Sequence, residues 1–241
     1  MLRLSQGQLS LLDTCPRKFQ YMVLEQCALL PSPEQQAGLI WGDRFHLLMQ
    51  QQQLGLPVET LLAGDPAFRE SVQAIGAIAP DLFSTQTPEP KPQRFSEHLR
   101  SFALGGHSFS VVYDLLLTEP DRAQIIDWKT YPRPQNDRWL AEHWQTRLYC
   151  YALAETSEYR PEQISMTYWF VQEKAQSLHI PYGPTQHQQI HNTLLQTLDR
   201  LDRWRTHYQN GQPLPQVEVA RGCAIAVLLP NAAGAVQMPL Q

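Results

Sequence analysis

The chain has 241 residues, 43% of them hydrophobic and 17% charged, with a net charge of −4. That composition supports a substantial core and excludes a chain disordered throughout, and the lack of a basic excess argues against a passive, histone-like polyanion binder. No run approaches the roughly 18 apolar residues of a membrane span, and the opening MLRLSQGQLS lacks the apolar stretch of a secretory leader, so a cytoplasmic protein without a membrane partner is expected. Cys15, Cys27, Cys150 and Cys223 lie far apart, unlike the cysteines of a small disulfide scaffold.

In chain order, residues 4–26 read as helical, with Leu9, Leu12 and Phe19 on one stripe and a break at Pro16. Pro31-Ser32-Pro33 is a turn, and a helix is expected over 34–53, with Ile40, Phe45, Leu47 and Leu48 apolar. A shorter helix covers 66–78, and the prolines of 79–93 mark a loop. The period then changes. Residues 95–104 and 108–117 alternate around Gly105-Gly106-His107, a hairpin signal. A third strand is expected over 123–128, a helix over 139–154, strands over 164–172 and 177–180, and a long helix over 187–208. The order points to a mixed sheet with helices against it, in one domain over 1–241. The expected catalytic core is 34–182, with a helical segment 1–30, a C-terminal helix 187–210 packing on it and a tail 213–241.

Two of the strands each carry a carboxylate within apolar sequence, Asp114 in SVVYDLLL and Asp127 in AQIIDWKT. A buried carboxylate is costly without a cation or donors. Asp127 and Lys129 are two residues apart and share a strand face. If the strands are neighbours, one pocket holds two carboxylates and an ammonium. Such a set suits Mg²⁺, an ion that polarises a phosphodiester and activates water. Taken alone, Asp-x-Lys is equally a buried ion pair closing a hairpin. Upstream, Gly42 and His46 are four apart on a helix; the glycine hints at close packing and His46 is a candidate ligand or a packed histidine. Downstream, Gln145 and Tyr149 share one helix face, pointing into a site or forming a polar helix edge.

In this order the residues resemble the RecB-like exonuclease branch of the PD-(D/E)XK nuclease superfamily, related to CRISPR-associated RecB-like and AddB nuclease domains. That branch has a Gly-x-x-x-His helix (here Gly42 and His46), an Asp on one strand (Asp114), Asp/Glu-x-Lys on the next (Asp127 and Lys129) and a Gln-x-x-x-Tyr helix (Gln145 and Tyr149). Leu9, Leu12 and the run Cys15-Pro16-Arg17-Lys18-Phe19 resemble its opening, so the matches span residues 5–153. The resemblance implies an α/β fold, the restriction-endonuclease-like central mixed sheet flanked by helices. It implies a Mg²⁺- or Mn²⁺-dependent DNA nuclease, an exonuclease on ends or single strands, serving repair, recombination or CRISPR-type DNA processing. In it His46, Asp114, Asp127 and the backbone carbonyl of Trp128 bind metal, Lys129 is the catalytic lysine, Gln145 and Tyr149 position the site or the strand, and Glu97 supports it.

The chain departs from the family in places. Val111 stands three residues before Asp114, where glycine is common, and Tyr131 follows Thr130, where glycine is common. Several relatives bind an iron–sulfur cluster through four cysteines. Here Cys15 and Cys223 remain, position 226 is alanine and no later cysteine follows, so no cluster is expected. His187 and His191 have helical metal-ligand spacing without a Cys-x-x-Cys, so zinc is not expected. No Gly-x-x-x-x-Gly-Lys loop is present, so ATP-driven unwinding requires a helicase or CRISPR-type partner. Arg17, Lys18, Arg133, Arg138, Arg147, Arg200, Arg203 and Arg205 are candidates to track phosphates, and Tyr131, Trp139 and Trp144 to stack bases, or else to be solvated charges and core rings. The alternative function is a weak or inactive nuclease-fold DNA-binding module within a helicase–nuclease complex.

Overall fold

The computed structural model describes residues 1–27, 32–82, 92–172 and 175–217. Cys223, most of the tail and most of the proline-rich loop lie outside the described residues. The chain divides into two compact units, one of residues 1–6 and 30–198 and the other of residues 7–29 and 199–241.

The first unit is built on a mixed sheet with six strands among the described residues, β1 (Arg3–Leu4), β2 (Gln93–Leu104), β3 (His107–Thr118), β4 (Ala123–Lys129), β5 (Ile164–Phe170) and β6 (Gln176–Pro181). The expected hairpin is β2–β3. Gly105 and Gly106 take φ of +55° and +76°, the two left-handed positions of a two-residue hairpin turn. β2 runs antiparallel along one edge of β3. The other edge of β3 takes β1 in parallel at Ser108 and Phe109, and β4 antiparallel at residues 115–118. β5 is parallel to β4, and β6 is antiparallel to β5.

On one face of the sheet lie α3 (Pro33–Gln53), α4 (Glu59–Gly64) and α5 (Pro66–Ile78). Ser32 begins α3 with a capping box to Gln35 and Pro33 in the first turn, the turn that the sequence signals. Phe45, Leu48 and Met49 of α3 and Phe68 and Ile75 of α5 form a core with Leu115, Ile126, Trp128 and Trp169 of the sheet. Leu39, Ile40 and Leu47 are instead exposed, because α3 buries the stripe through Gly42, Phe45, Leu48 and Met49.

The other face takes α6 (Asp137–Glu142), α7 (Trp144–Glu155) and the start of α8 (Pro184–Gln209). The single helix expected over 139–154 is two. Asn136 caps α6, and His143 adopts an extended backbone whose Nδ1 accepts the N–H of Gln145 to cap α7. α7 buries nearly its whole surface, from Trp144 through Leu153, so periodicity alone does not mark its start.

The second unit holds α1 (Gln6–Thr14), from Gly7 onward, α2 (Pro16–Phe19), a π-helical turn over Gln20–Leu24 and the last part of α8. Pro16 ends the first helix as expected. Leu9, Leu12, Cys15 and Phe19 are buried. The segment after α8 docks here in extended form. Arg17 donates to the Leu214 carbonyl at 2.7 Å, its N–H donates to Pro215 at 2.9 Å, and the Leu214 N–H donates to Gln20 Oε1 at 2.8 Å.

Candidate active site

The site forms where two paired strands separate. The β3–β4 ladder runs from Thr118↔Ala123 to Leu115↔Ile126 and ends there. The next two residues are Asp114 and Asp127. β4 keeps its other neighbour, pairing with β5 through Lys129↔Phe170. The Trp128 N–H, beyond the ladder, donates to Asp114 Oδ2 at 2.7 Å. Trp128's indole packs in the α3–α5 core, so only its backbone belongs to the site. Ile126 and Trp128 point to α3 and α5, and the alternate residues Asp127 and Lys129 therefore face α7.

Asp127 is 3% exposed. Lys129 Nζ lies 2.6 Å from Asp127 Oδ2 and donates to Gln145 Oε1 at 2.7 Å, while the Gln145 amide nitrogen donates to Asp127 Oδ1. Tyr149, one turn on, is hydrogen-bonded to Gln145. Two tyrosines fix α7 in this position. Tyr113 on β3 donates to the Tyr149 carbonyl at 3.0 Å, and Tyr168 on β5 shares a 2.7 Å hydrogen bond with Thr146. The Tyr168 ring also lies 5.0 Å from Lys129 Nζ, giving the ammonium a cation–π floor.

On the other side, His46 Nδ1 is 3.3 Å from Asp114 Oδ2. Glu97 on β2 faces the same point. The β2–β3 register is equal on either side of it, Ser96↔Leu115 and His98↔Tyr113, so no residue is inserted. The pair is broken in place, and Glu97 takes φ +49°, a strained conformation for a residue with a side chain. His46, Glu97 and Asp114 each offer a ligand atom, all within 4.8 Å of one another. Gly42 lets α3 reach this end of the sheet, since a Cβ there would lie 3.0 Å from Thr130 Oγ1. We expect Gly42→Ala to leave the melting temperature nearly unchanged, because the roughly 1 kcal/mol gained in helix propensity offsets the tight contact. Its cleavage rate should fall, because His46 is displaced with the helix. Calorimetry beside a nuclease assay separates the two effects.

A family model of the PD-(D/E)XK nuclease superfamily matches residues 3–226. The chain belongs to that superfamily. Among solved structures, one described as "Putative exonuclease" from Eubacterium rectale is similar to the nuclease over 99% of this chain and 91% of its own, with a TM-score of 0.59 and 12% identity. At that identity the likeness is one of fold. The structure of SSO0001 aligns over 95% of this chain and 86% of its own, with a TM-score of 0.40 and 12% identity. No curated protein matches the sequence.

Members of the superfamily generally use divalent metals, and the electrostatics of this nuclease suit one. Burial, and then the charge of Asp114, push the Asp127 carboxyl up to about 7 against the opposing pull of Lys129 and His46. Burial opposes protonation of His46, but its hydrogen bond to Asp114 and the charges of Asp114, Asp127 and Glu97 win and raise its pKa. Glu97 is raised by burial and by Asp114. Three groups therefore favour a proton beyond its ordinary range, as expected where carboxylates converge without a cation. One imidazole with several converging carboxylates is a donor set that can hold a divalent cation.

His46, Asp114, Asp127, Lys129, Gln145 and Tyr149 thus come together, and the backbone of Trp128 joins them. Glu97, expected to support the site, has a ligand atom within 4.8 Å of those of His46 and Asp114. His143 has no motif to reveal it; it caps α7, and its pKa is lowered by burial and by nearby Lys129. Other candidates lie elsewhere or are spent. Trp144 is 4% exposed and covered by Arg147, 4.3 Å from its ring. Arg200, Arg203 and Arg205 pair with Asp13, Asp199 and Asp202. His187 meets Tyr182 and Glu155, His191 is hydrogen-bonded to Tyr151, and the Tyr151 ring also stacks on His187 at 4.8 Å.

Proposed function

We propose that this chain is a metal-dependent deoxyribonuclease of the RecB-like branch, acting as an exonuclease in a single-domain, cytoplasmic protein for DNA repair, recombination or CRISPR-type processing. The observation that carries the reading is Lys129 held between Asp127 and Gln145 at the point where β3 and β4 part, facing the His46–Glu97–Asp114 group. His46, Asp114, Asp127, Glu97 and the Trp128 carbonyl are the groups that would hold the ion. A bound Mg²⁺ or Mn²⁺ supplies Lewis acidity at the scissile phosphate. Lys129 presents an ammonium to the charge that develops on the phosphoryl oxygens as water attacks phosphorus and the P–O bond to the leaving sugar breaks. Gln145 fixes that ammonium, and Tyr149 steadies Gln145.

End-labelled and circular DNA, single- and double-stranded, with Mg²⁺ or Mn²⁺, test the proposal in wild type beside Lys129→Ala. Loss of linear DNA alone, abolished by the substitution, is expected. Nicked circles would replace exonuclease by endonuclease. The second reading is a weak or inactive nuclease-fold DNA-binding module within a helicase–nuclease complex. Binding without cleavage by any substrate form would select it.

A further inference from the structure

Gln145, which aims Lys129, is itself held by its backbone. Its side chain accepts from Lys129 Nζ at 2.7 Å and donates to Asp127 Oδ1, and its own N–H donates to His143 Nδ1 at 3.3 Å. His143 stands between two helices. Its N–H donates to the Leu140 carbonyl at 3.2 Å and closes α6, and its carbonyl accepts the Arg147 N–H at 3.1 Å as the first bond of α7. Its extended backbone, with φ −68° and ψ 146°, turns the chain between them. The Trp139 ring rests on the imidazole, 4.9 Å between centroids, and restricts it from the α6 side.

Histidine is not among the preferred caps, which are Ser, Thr, Asp and Asn. A helix start also favours a carboxylate, yet α7 has no acidic residue in its first turn. The reason lies on β4. Burial and then the charge of Lys129 lower the pKa of His143, so the ring stays neutral. A neutral imidazole can accept the Gln145 N–H, and a protonated one cannot. An aspartate here would accept the same N–H. It would also offer Lys129 a second anion in competition with Asp127.

We propose that His143 is a positioning residue, an uncharged helix cap that seats Gln145 against Asp127 and Lys129 without giving the ammonium a competing partner. The inference rests on the reading of Lys129 as the group that meets the charge developing on the scissile phosphate, and adds what aims it. The site requires neutrality of this cap as well as its acceptor.

The test compares His143→Ala, His143→Asn and His143→Asp in the full chain. Single-turnover cleavage at saturating DNA should fall about tenfold in His143→Ala, the scale of one lost cap, and stay within about threefold of wild type in His143→Asn, which caps without charge. His143→Asp also caps, and the helix dipole favours it, so it should melt at or above His143→Asn. Its rate should still drop to the level of His143→Ala. A cap with a structural role alone predicts that His143→Asp is at least as active as His143→Asn, and that result overturns the proposal. Full activity in His143→Ala does the same. A second measurement needs no cleavage. In EDTA, the gain in melting temperature of His143→Asp over His143→Asn should shrink when Lys129→Met is added to both, because part of that gain is attraction to the ammonium. An equal gain in both backgrounds would show that Lys129 does not respond to charge at this position, against the proposal. Failure of the wild type to cut DNA with metal present would sink the nuclease reading, and the melting comparison would still decide this one.

Discussion

Replacing Lys129 by Met is expected to lower the cleavage rate about 10²- to 10³-fold, the scale of losing one donor aimed at developing charge. The fold should survive, for a reason specific to Asp127. Its carboxyl is buried, and Lys129, 2.6 Å away, is the main pull towards its charged form. Without the ammonium, the cheapest response is to take up a proton, since burial and Asp114 already favour that form. The variant should therefore melt near the wild-type temperature at pH 6 and clearly below it at pH 8, where the proton must be lost. Gln145→Leu should show a milder defect, because Lys129 stays paired with Asp127 but loses the acceptor that aims it. Single-turnover rates with melting curves at both pH values check the pair. An inactive Lys129→Met that is equally destabilised at both pH values would mean that the lysine acts as a structural ion-pair partner.

Much of this was legible in the sequence because the site is written in short-range spacing. Asp127 and Lys129 share a face by strand alternation, and Gln145 and Tyr149 share one by helical spacing. The Gly-Gly turn fixes the hairpin of β2 and β3, and the β3–β4 ladder sets Asp114 beside Asp127. What stayed hidden depends on the third dimension. Glu97 lies within an ordinary alternating strand, and nothing local announces that its backbone turns to φ +49° opposite Asp114. The break at His143 is masked because α7 is buried nearly all round, so its start is marked by a cap and not by a change of period. The arginines illustrate the opposite error. Composition offers them as phosphate contacts, yet Arg17 holds the Leu214 carbonyl, and Arg133 and Arg138 each meet a carboxylate within one helical turn.

Divalent ions should stabilise the protein more at pH 8 than at pH 5.5. Asp127 has an ordinary value of 3.8 and is pushed up to about 7 by burial and Asp114. A group raised on folding favours the native state while protonated. Its contribution is complete below the ordinary value and is lost as pH climbs through the raised one. His46 and Glu97 are also raised, so both act with the same sign. In EDTA the melting temperature should fall across the window from about pH 4 to 7, by roughly 3–5 °C per pH unit if one proton dominates. Asp127→Asn, which has no proton to lose, should flatten that slope. A cation replaces the missing protons, and its ligands must be deprotonated to bind it, so the gain on adding Mg²⁺ or Mn²⁺ grows with pH. Asp114→Asn should shrink the gain, because Asp114 touches both His46 and the Trp128 N–H and belongs to the closest ligand group. A metal-induced shift that is equal at both pH values, or unchanged in Asp114→Asn, would place the ion outside this site. The same carboxylates that destabilise the metal-free protein at neutral pH are the ones the reaction needs ionised, so the site's cost to folding and its readiness to take a cation have one physical cause.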